Sequence, residues 1–258
     1  MSFVGLFDSG VGGVSVLQAL RQQRPDLDYV YLADLAWAPY GPLPPARIRE
    51  RALRIGHWLQ AGGAGMVVVA CNTASAWAAS ALERALEVPV VGMVEPTREA
   101  LEAGAPGGAL ETVVWATSAT LRSGAYAGVG TVVATPLLAP LVEAGHLDDG
   151  VATAVVGEYL RCLPPGTRRL VLGCTHYSFL VPLIKHLAPH LQVVDSAHQG
   201  AACAARQGLP NGGGGSVRHF ATGEAAAYQL TLRALGVTAE VKEVALETGA
   251  EVTAEVAA

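Results

Sequence analysis

Arg169-Leu-Val-Leu-Gly-Cys174-Thr175-His176-Tyr177 reads as a buried strand that ends on a thiol, a hydroxyl and an imidazole. Upstream, Met66-Val-Val-Val-Ala-Cys71-Asn72-Thr73-Ala74 repeats the pattern: an unbroken apolar, β-branched run, the mark of a strand covered on both faces, closing on a cysteine and polar residues. Ligands of open α/β sheets sit at the carboxyl ends of strands. Two such ends, each carrying a cysteine, predict one site approached from two sides.

Outward from these strands the chain falls into two halves in near register. Cys71 lies 63 positions after Asp8 and Cys174 lies 57 after Thr117, while the next strands begin at Val90 and Val193, each 19 past its cysteine. In the first half, a strand at Phe3 to Phe7 breaks at Asp8-Ser9-Gly10-Val11-Gly12-Gly13, and Val14, Leu17 and Leu20 then show helical spacing. Such a turn leaves backbone N–H groups free at a helix N-terminus, a place for an anionic group. A G-x-G-x-x-G dinucleotide fingerprint would need glycine at Ser15 and would aim the Asp8 carboxylate at a pyrophosphate, so a substrate bearing both ammonium and carboxylate fits better. On a plainer reading, Ser9 caps the helix and the glycines turn the chain.

Asp28 to Ala33 forms the next strand, and Asp34 to Pro45 a loop in which Pro39 and Pro42 stiffen Tyr40-Gly41. A helix opens at Pro44-Pro45, the Cys71 strand follows, then a helix from Ala74 to Leu86 and a strand from Pro89 to Val94, with Glu95-Pro96 marking a change of direction. The second half repeats the alternation: strands at Thr112 to Trp115 and Thr131 to Ala134, a turn-and-helix at Pro136 to Gly145, and a crossover helix at Val151 to Leu163 before the Cys174 strand. Asn211-Gly-Gly-Gly-Gly-Ser216 reads as a flexible connection to a strand at Val217 to Ala221, a helix at Thr222 to Leu235 and a strand at Val241 to Leu246. These are too few for a separate core. The expected class is α/β, parallel sheets built twice, with domains at residues 1–95 plus 207–258 and at 96–206, and a tail at 247–258 without assignable role.

Composition excludes several functions. At 258 residues with 51% hydrophobic content the chain can bury a real core, and a net charge of -5 with 15% charged residues offers no basic face for nucleic acid. The first residues lack the basic and long apolar regions of a signal peptide, and no apolar run approaches the ~18 residues of a membrane span, which points to the cytoplasm and away from a membrane. Four cysteines without CxxC pairing fit a reducing compartment.

Two facing thiols can act as thiolate base and thiol acid, because a cysteine near pKa ~8.5 is accessible in either form at neutral pH. Flanking a carbon acid, they would take a proton from one face and return one to the other, inverting a stereocentre without pyridoxal phosphate, metal or other cofactor. A thiolate needs a positive or hydrogen-bonding neighbour; Asp8 and Asn72 near Cys71, and Thr175 and His176 near Cys174, are candidates. Zinc on Cys71, Cys174 and His176 lacks closed metal-ligand spacing, and a hydrolase-type Cys-His nucleophile leaves the second cysteine unexplained. Cys162 and Cys203 read as small core hydrophobes, and the six other histidines, His219 included, receive no role.

Phe7-Asp8-Ser9-Gly10-Val-Gly-Gly13, Pro39-Tyr40-Gly41-Pro42, Ala70-Cys71-Asn72-Thr73-Ala74 and Leu172-Gly173-Cys174-Thr175-His176-Tyr177, in this order and spacing, closely resemble the bacterial glutamate racemases of the aspartate/glutamate racemase family. The resemblance runs from about residue 3 to 246. It implies two flavodoxin-like, doubly wound domains in pseudo-twofold relation with the active site in the cleft between them, and cofactor-independent interconversion of L-glutamate and D-glutamate for peptidoglycan. It further implies Cys71 as base for D-glutamate and Cys174 for L-glutamate, with Asp8 and His176 assisting their neighbouring thiols and Glu143 as a further acidic residue. Asp8, Ser9, Tyr40, Gly41, Asn72, Thr73, Thr175 and His176 match substrate-binding positions, and Thr117 and Thr135 are expected on the second half's side of the cleft. A homodimer is implied, its arrangement left open. The chain departs from the family at Ala116, Thr135 and Leu35. Rival readings are a racemase for aspartate or another acidic amino acid, and a non-catalytic amino-acid-binding or regulatory protein on the same fold.

Overall fold

The two β-branched runs become inner strands of two separate parallel sheets in the computed structural model, which describes residues 2–103, 111–207 and 212–246. In chain order the first part comprises β1 (Phe3–Asp8), α1 (Val14–Gln23), β2 (Tyr29–Ala33), α2 (Pro45–Ala61), β3 (Ala64–Val69), α3 (Asn72–Ala85), β4 (Val90–Val91) and α4 (Val94–Ala103). The second comprises β5 (Thr112–Ala116), α5 (Ser118–Ser123), β6 (Thr131–Ala134), α6 (Leu138–Glu143), α7 (Gly150–Arg161), β7 (Arg169–Gly173), α8 (Val181–Leu187), β8 (Gln192–Asp195) and α9 (Ser196–Arg206). Then come β9 (Val217–Ala221), α10 (Ala225–Ala234) and β10 (Val241–Glu243).

The sheet orders are β10-β9-β2-β1-β3-β4 and β6-β5-β7-β8. Each contains the same arrangement, in which the first strand pairs with the second on one side and the third on the other. Ligand crevices form where strand order reverses in this way. Pairing Phe7 with Val69 brings the ends of β1 and β3, hence Asp8 and Cys71, to one edge; pairing Ala116 with Gly173 does the same for Thr117 and Cys174.

The two sheets share a continuous apolar cluster that runs from Leu6, Tyr31 and Met66 to Trp115, Leu170 and Leu172. Leu17 and Leu20 of α1 and Ala197, Ala201 and Ala204 of α9 belong to it, so small alanines let these helices pack closely between the sheets. A second cluster, with Phe7, Leu32, Ile55 and Trp58, covers the other face of the first sheet.

Local differences from the expected elements have physical causes. Glu95-Pro96 lies in the first turn of α4, where proline's missing N–H costs no helical bond, and β4 is correspondingly only Val90–Val91. α10 starts at Ala225 because Gly223 adopts φ 83° and the Thr222 hydroxyl is bound to Asp34 Oδ1 at 2.7 Å. The glycine run is anchored: Gly214 N–H, Ser216 N–H and the Ser216 hydroxyl all donate to Asp28 Oδ1, at 3.0, 2.9 and 2.7 Å. Asn211 and the tail at 247–258 lie outside the described residues.

Candidate active site

Both cysteines are helix-capping residues with extended backbones. Cys71 (φ -134°, ψ 121°) precedes α3, and its carbonyl accepts the Ser75 N–H at 2.8 Å; Cys174 (φ -155°, ψ 131°) precedes a 3-10 turn over Thr175–Leu180, and its carbonyl accepts the Tyr177 N–H at 3.1 Å. Strand therefore gives way to helix at each thiol, and α3 starts two residues earlier than its apolar pattern predicts. The two side chains line one cavity of about 680 Å³. Ser9, Tyr40, Gly41, Asn72 and Thr73 join Cys71 in its wall, and Thr117, Glu143, Thr175 and His176 join Cys174, as does Thr135.

Asp8 is the one candidate absent from the wall. It is fully buried, and its Oδ2 accepts the Gly13 N–H at 2.8 Å. Burial first, and the Asp8 charge second, push the Cys71 thiol well above the usual range, so Cys71 rests protonated in the free protein. The turn amides that the sequence leaves free are partly spent on the protein's own carboxylates: Gly13 N–H on Asp8 and Val11 N–H on Glu143 Oε1 at 3.0 Å. Ser15, standing where a dinucleotide fingerprint needs glycine, donates its hydroxyl to the carbonyls of Gly12 at 2.7 Å and Thr175 at 3.0 Å, tying α1 to the Cys174 loop.

On the opposite side, His176 Nδ1 lies 3.7 Å from Cys174 Sγ and Nε2 lies 2.7 Å from Glu143 Oε1. Burial alone would lower the His176 pKa, but the hydrogen bonds to Cys174 and Glu143 outweigh it and hold the imidazole well above its ordinary range. Burial would likewise raise Glu143, yet His176 and the Val11 N–H together hold its carboxyl below the ordinary value. A charged imidazolium thus stands beside the Cys174 sulfur.

Hydroxyls and amides fill the rest. Thr73 Oγ1 and Thr117 Oγ1 are 2.8 Å apart, and Thr117 also caps α5 by accepting the Thr120 N–H. The Asn72 amide donates to Ser196 Oγ at 2.8 Å and accepts from the Tyr126 hydroxyl at 2.7 Å, which orients it rigidly. Tyr40 donates its hydroxyl to Asp34 Oδ2 at 2.5 Å.

Some residues stand elsewhere than their sequence context suggests. Cys162 is exposed and Cys203 half-buried, so neither is a fully buried core residue. His219 is buried on β9, its Nδ1 3.2 Å from the Tyr228 hydroxyl, and burial pushes its pKa down to about 4. Among the described residues no group of three or more His, Cys, Asp or Glu side chains is arranged to hold a metal ion. Arg122 of α5 lines the cavity and donates to the Gly41 carbonyl at 3.0 Å. It sits on a helix too short to show a period.

Comparison with known proteins gives a consistent picture. Residues 13–204 match the family model described as Asp/Glu/Hydantoin racemase. The glutamate racemase of Thermus thermophilus is 41% identical over 253 residues, covering 95% of this chain and 96% of the relative. That of Persephonella marina is 35% identical over 235 residues, covering 88% and 90%. A crystal structure of glutamate racemase from Thermus thermophilus in complex with β-chloro-D-alanine superposes with a TM-score of 0.86 at 40% identity, covering 95% of this chain and 97% of that one.

Proposed function

The chain belongs to the Asp/Glu/hydantoin racemase family, and from that premise we infer that it is an isomerase interconverting L-glutamate and D-glutamate. The observation that carries the mechanism is that Cys71 and Cys174, from separate sheets, line one cavity. We propose that the Cys174 thiolate takes the Cα proton of L-glutamate while the Cys71 thiol delivers its proton to the opposite face. The C–H and S–H bonds broken are replaced by one S–H and one C–H bond, so the thiols exchange protonation states. D-glutamate runs the sequence in reverse.

The neighbours fit these parts. Burial and the Asp8 charge favour the protonated form of the Cys71 thiol, the form that delivers a proton to Cα. His176, kept cationic by Glu143, supplies the positive partner a thiolate at Cys174 needs. Ser9, Tyr40, Gly41, Asn72, Thr73, Thr117 and Thr175 offer the polar groups that hold the amino acid, and Asp8 would act on it through Cys71 rather than by direct contact.

We take the two sheets as the centres of two domains, residues 1–95 with 207–258 and residues 96–206, and the protein as a homodimer. No helix of the described residues is long and apolar enough to cross a membrane, which agrees with a cytoplasmic enzyme supplying D-glutamate to peptidoglycan synthesis.

The test is incorporation of solvent deuterium at Cα of glutamate without added cofactor. Exchange with racemisation is expected; no exchange by the native protein would overturn the reading. Cys71→Ser and Cys174→Ser should each lower turnover by about 10²–10⁴-fold with the fold intact, and full activity in either would reject the two-thiol scheme. Faster turnover of aspartate than of glutamate would shift the substrate to the shorter acid.

A further inference from the structure

Glutamate carries two carboxylates into this cavity, and the wall must meet both. His176, the cation beside Cys174, is already paired with Glu143 at 2.7 Å. Among the described residues lining the cavity, Arg122 is the only Lys or Arg. A guanidinium has five N–H donors, and the contact from Arg122 to the Gly41 carbonyl uses one of them on a neutral acceptor, leaving its charge uncompensated there.

The placement of Arg122 is built by the fold. It lies four residues after Ser118 on α5, hence on the same helical face, and both line the cavity. The start of α5 is tied to the other half by the Thr117–Thr73 hydroxyl contact, so Arg122 makes a second tie across the cleft, 81 positions away in sequence. Its acceptor belongs to the segment flanked by Pro39 and Pro42, which restrict the backbone. Apart from Gly41 and its two chain neighbours, no atom lies within 4 Å of where a Cβ would stand, so open space adjoins the contact.

We propose that Arg122 is the specificity-determining residue for an acidic side chain: held at the cleft by Gly41, its guanidinium receives the side-chain carboxylate of the bound amino acid. This rests on the racemase reading of the same site. It makes discrimination against the uncharged amide analogue a property of one exposed residue, outside the thiol machinery.

The experiment compares native protein, Arg122→Lys and Arg122→Gln with L-glutamate and L-glutamine, measuring kcat and KM at low and high ionic strength and binding by calorimetry. For Arg122→Gln, KM and the dissociation constant for glutamate should rise about 10–100-fold, with kcat little changed. The preference over glutamine should shrink, and the salt dependence of kcat/KM should flatten. Arg122→Lys should recover part of each. Unchanged glutamate affinity and unchanged salt dependence in Arg122→Gln would overturn the proposal. Absence of deuterium exchange by the native protein would instead defeat the racemase reading, and the calorimetric comparison would still decide the role of Arg122.

Discussion

The Glu143 carboxylate meets the His176 imidazole at 2.7 Å, with the other ring nitrogen turned to the Cys174 sulfur. Glu143 also accepts the Val11 N–H, so one carboxylate ties the glycine-rich turn of the first sheet to the thiol of the second. The pair is an electrostatic device and a mechanical one.

Its pH signature follows from the two shifts. His176 is raised above 6.5, so its contribution to stability is complete below that value and is lost as pH rises through the higher folded value. Glu143 is lowered below 4.5, so its contribution is present above that value and is lost as pH falls through the lower folded value. Glu143→Gln should therefore lower the Tm most in mildly acidic solution, between those two ordinary values, with the gap to the native protein closing toward both extremes. It should also reduce turnover. Melting curves of both proteins across pH provide the check, and a pH-independent gap would rule out the ion pair.

Asn72 offers a test of how the Cys71 end is held. Its amide is locked by Tyr126 and Ser196, residues 54 and 124 positions away. Tyr126→Phe leaves a buried carbonyl oxygen without its donor and should cost about 1–3 kcal/mol in urea denaturation. Because Asn72 follows Cys71 directly, kcat should fall as well. Ser196→Ala added to Tyr126→Phe should cost less than the sum of the two, since both act on one amide.

What the sequence discloses follows the range of each interaction. The cysteine-ended strands were legible because β-branched runs buried on both faces leave a local pattern, and the matching offsets to Val90 and Val193 expose the repeat. The strands and helices around them, among them β1 to β3 in chain order and β5, β6, α6 and α7, follow from the same alternation. α5 and α8 span only 6 and 7 residues, too few to display a helical period, so Arg122 carried no signal. The Thr73–Thr117 and Asn72–Tyr126 contacts were equally silent, since they arise only once two sheets face each other. Asp8 belongs to a motif legible in the sequence, yet its burial away from the cavity wall depends on packing that no motif encodes.

Gly12 is a position where a single methyl group should be decisive. A Cβ there would overlap His176 Nδ1 and come within 2.7 Å of Asp8 Oδ2, meeting a side chain from each side of the cavity at once. Gly12→Ala should cost about 1–3 kcal/mol in stability through overpacking. It should also lower kcat, because His176 must leave its place between Cys174 and Glu143. Native-like turnover at native-like stability would show that the turn can yield without disturbing the imidazole.

Arg51 and Asp34 form a buried ion pair behind Tyr40, at 2.6 Å, with side chains 3% and 0% exposed. Asp34 also accepts from the hydroxyls of Tyr40 and Thr222, and Arg51 donates to the Leu246 carbonyl at 2.8 Å, so the pair joins the cavity wall to the segment after β10. Arg51→Met removes the cation and leaves a carboxylate buried among neutral donors, which should cost about 3–5 kcal/mol. The midpoint of urea denaturation should fall accordingly, and KM should rise as Tyr40 loses its fixed acceptor. Asp34→Asn in the Arg51→Met background removes the bare charge while keeping an oxygen for one of the two hydroxyls, so it should restore part of the lost stability. If the double variant is no more stable than Arg51→Met alone, lost packing around the Arg51 stem, and not the stranded charge, accounts for the destabilisation.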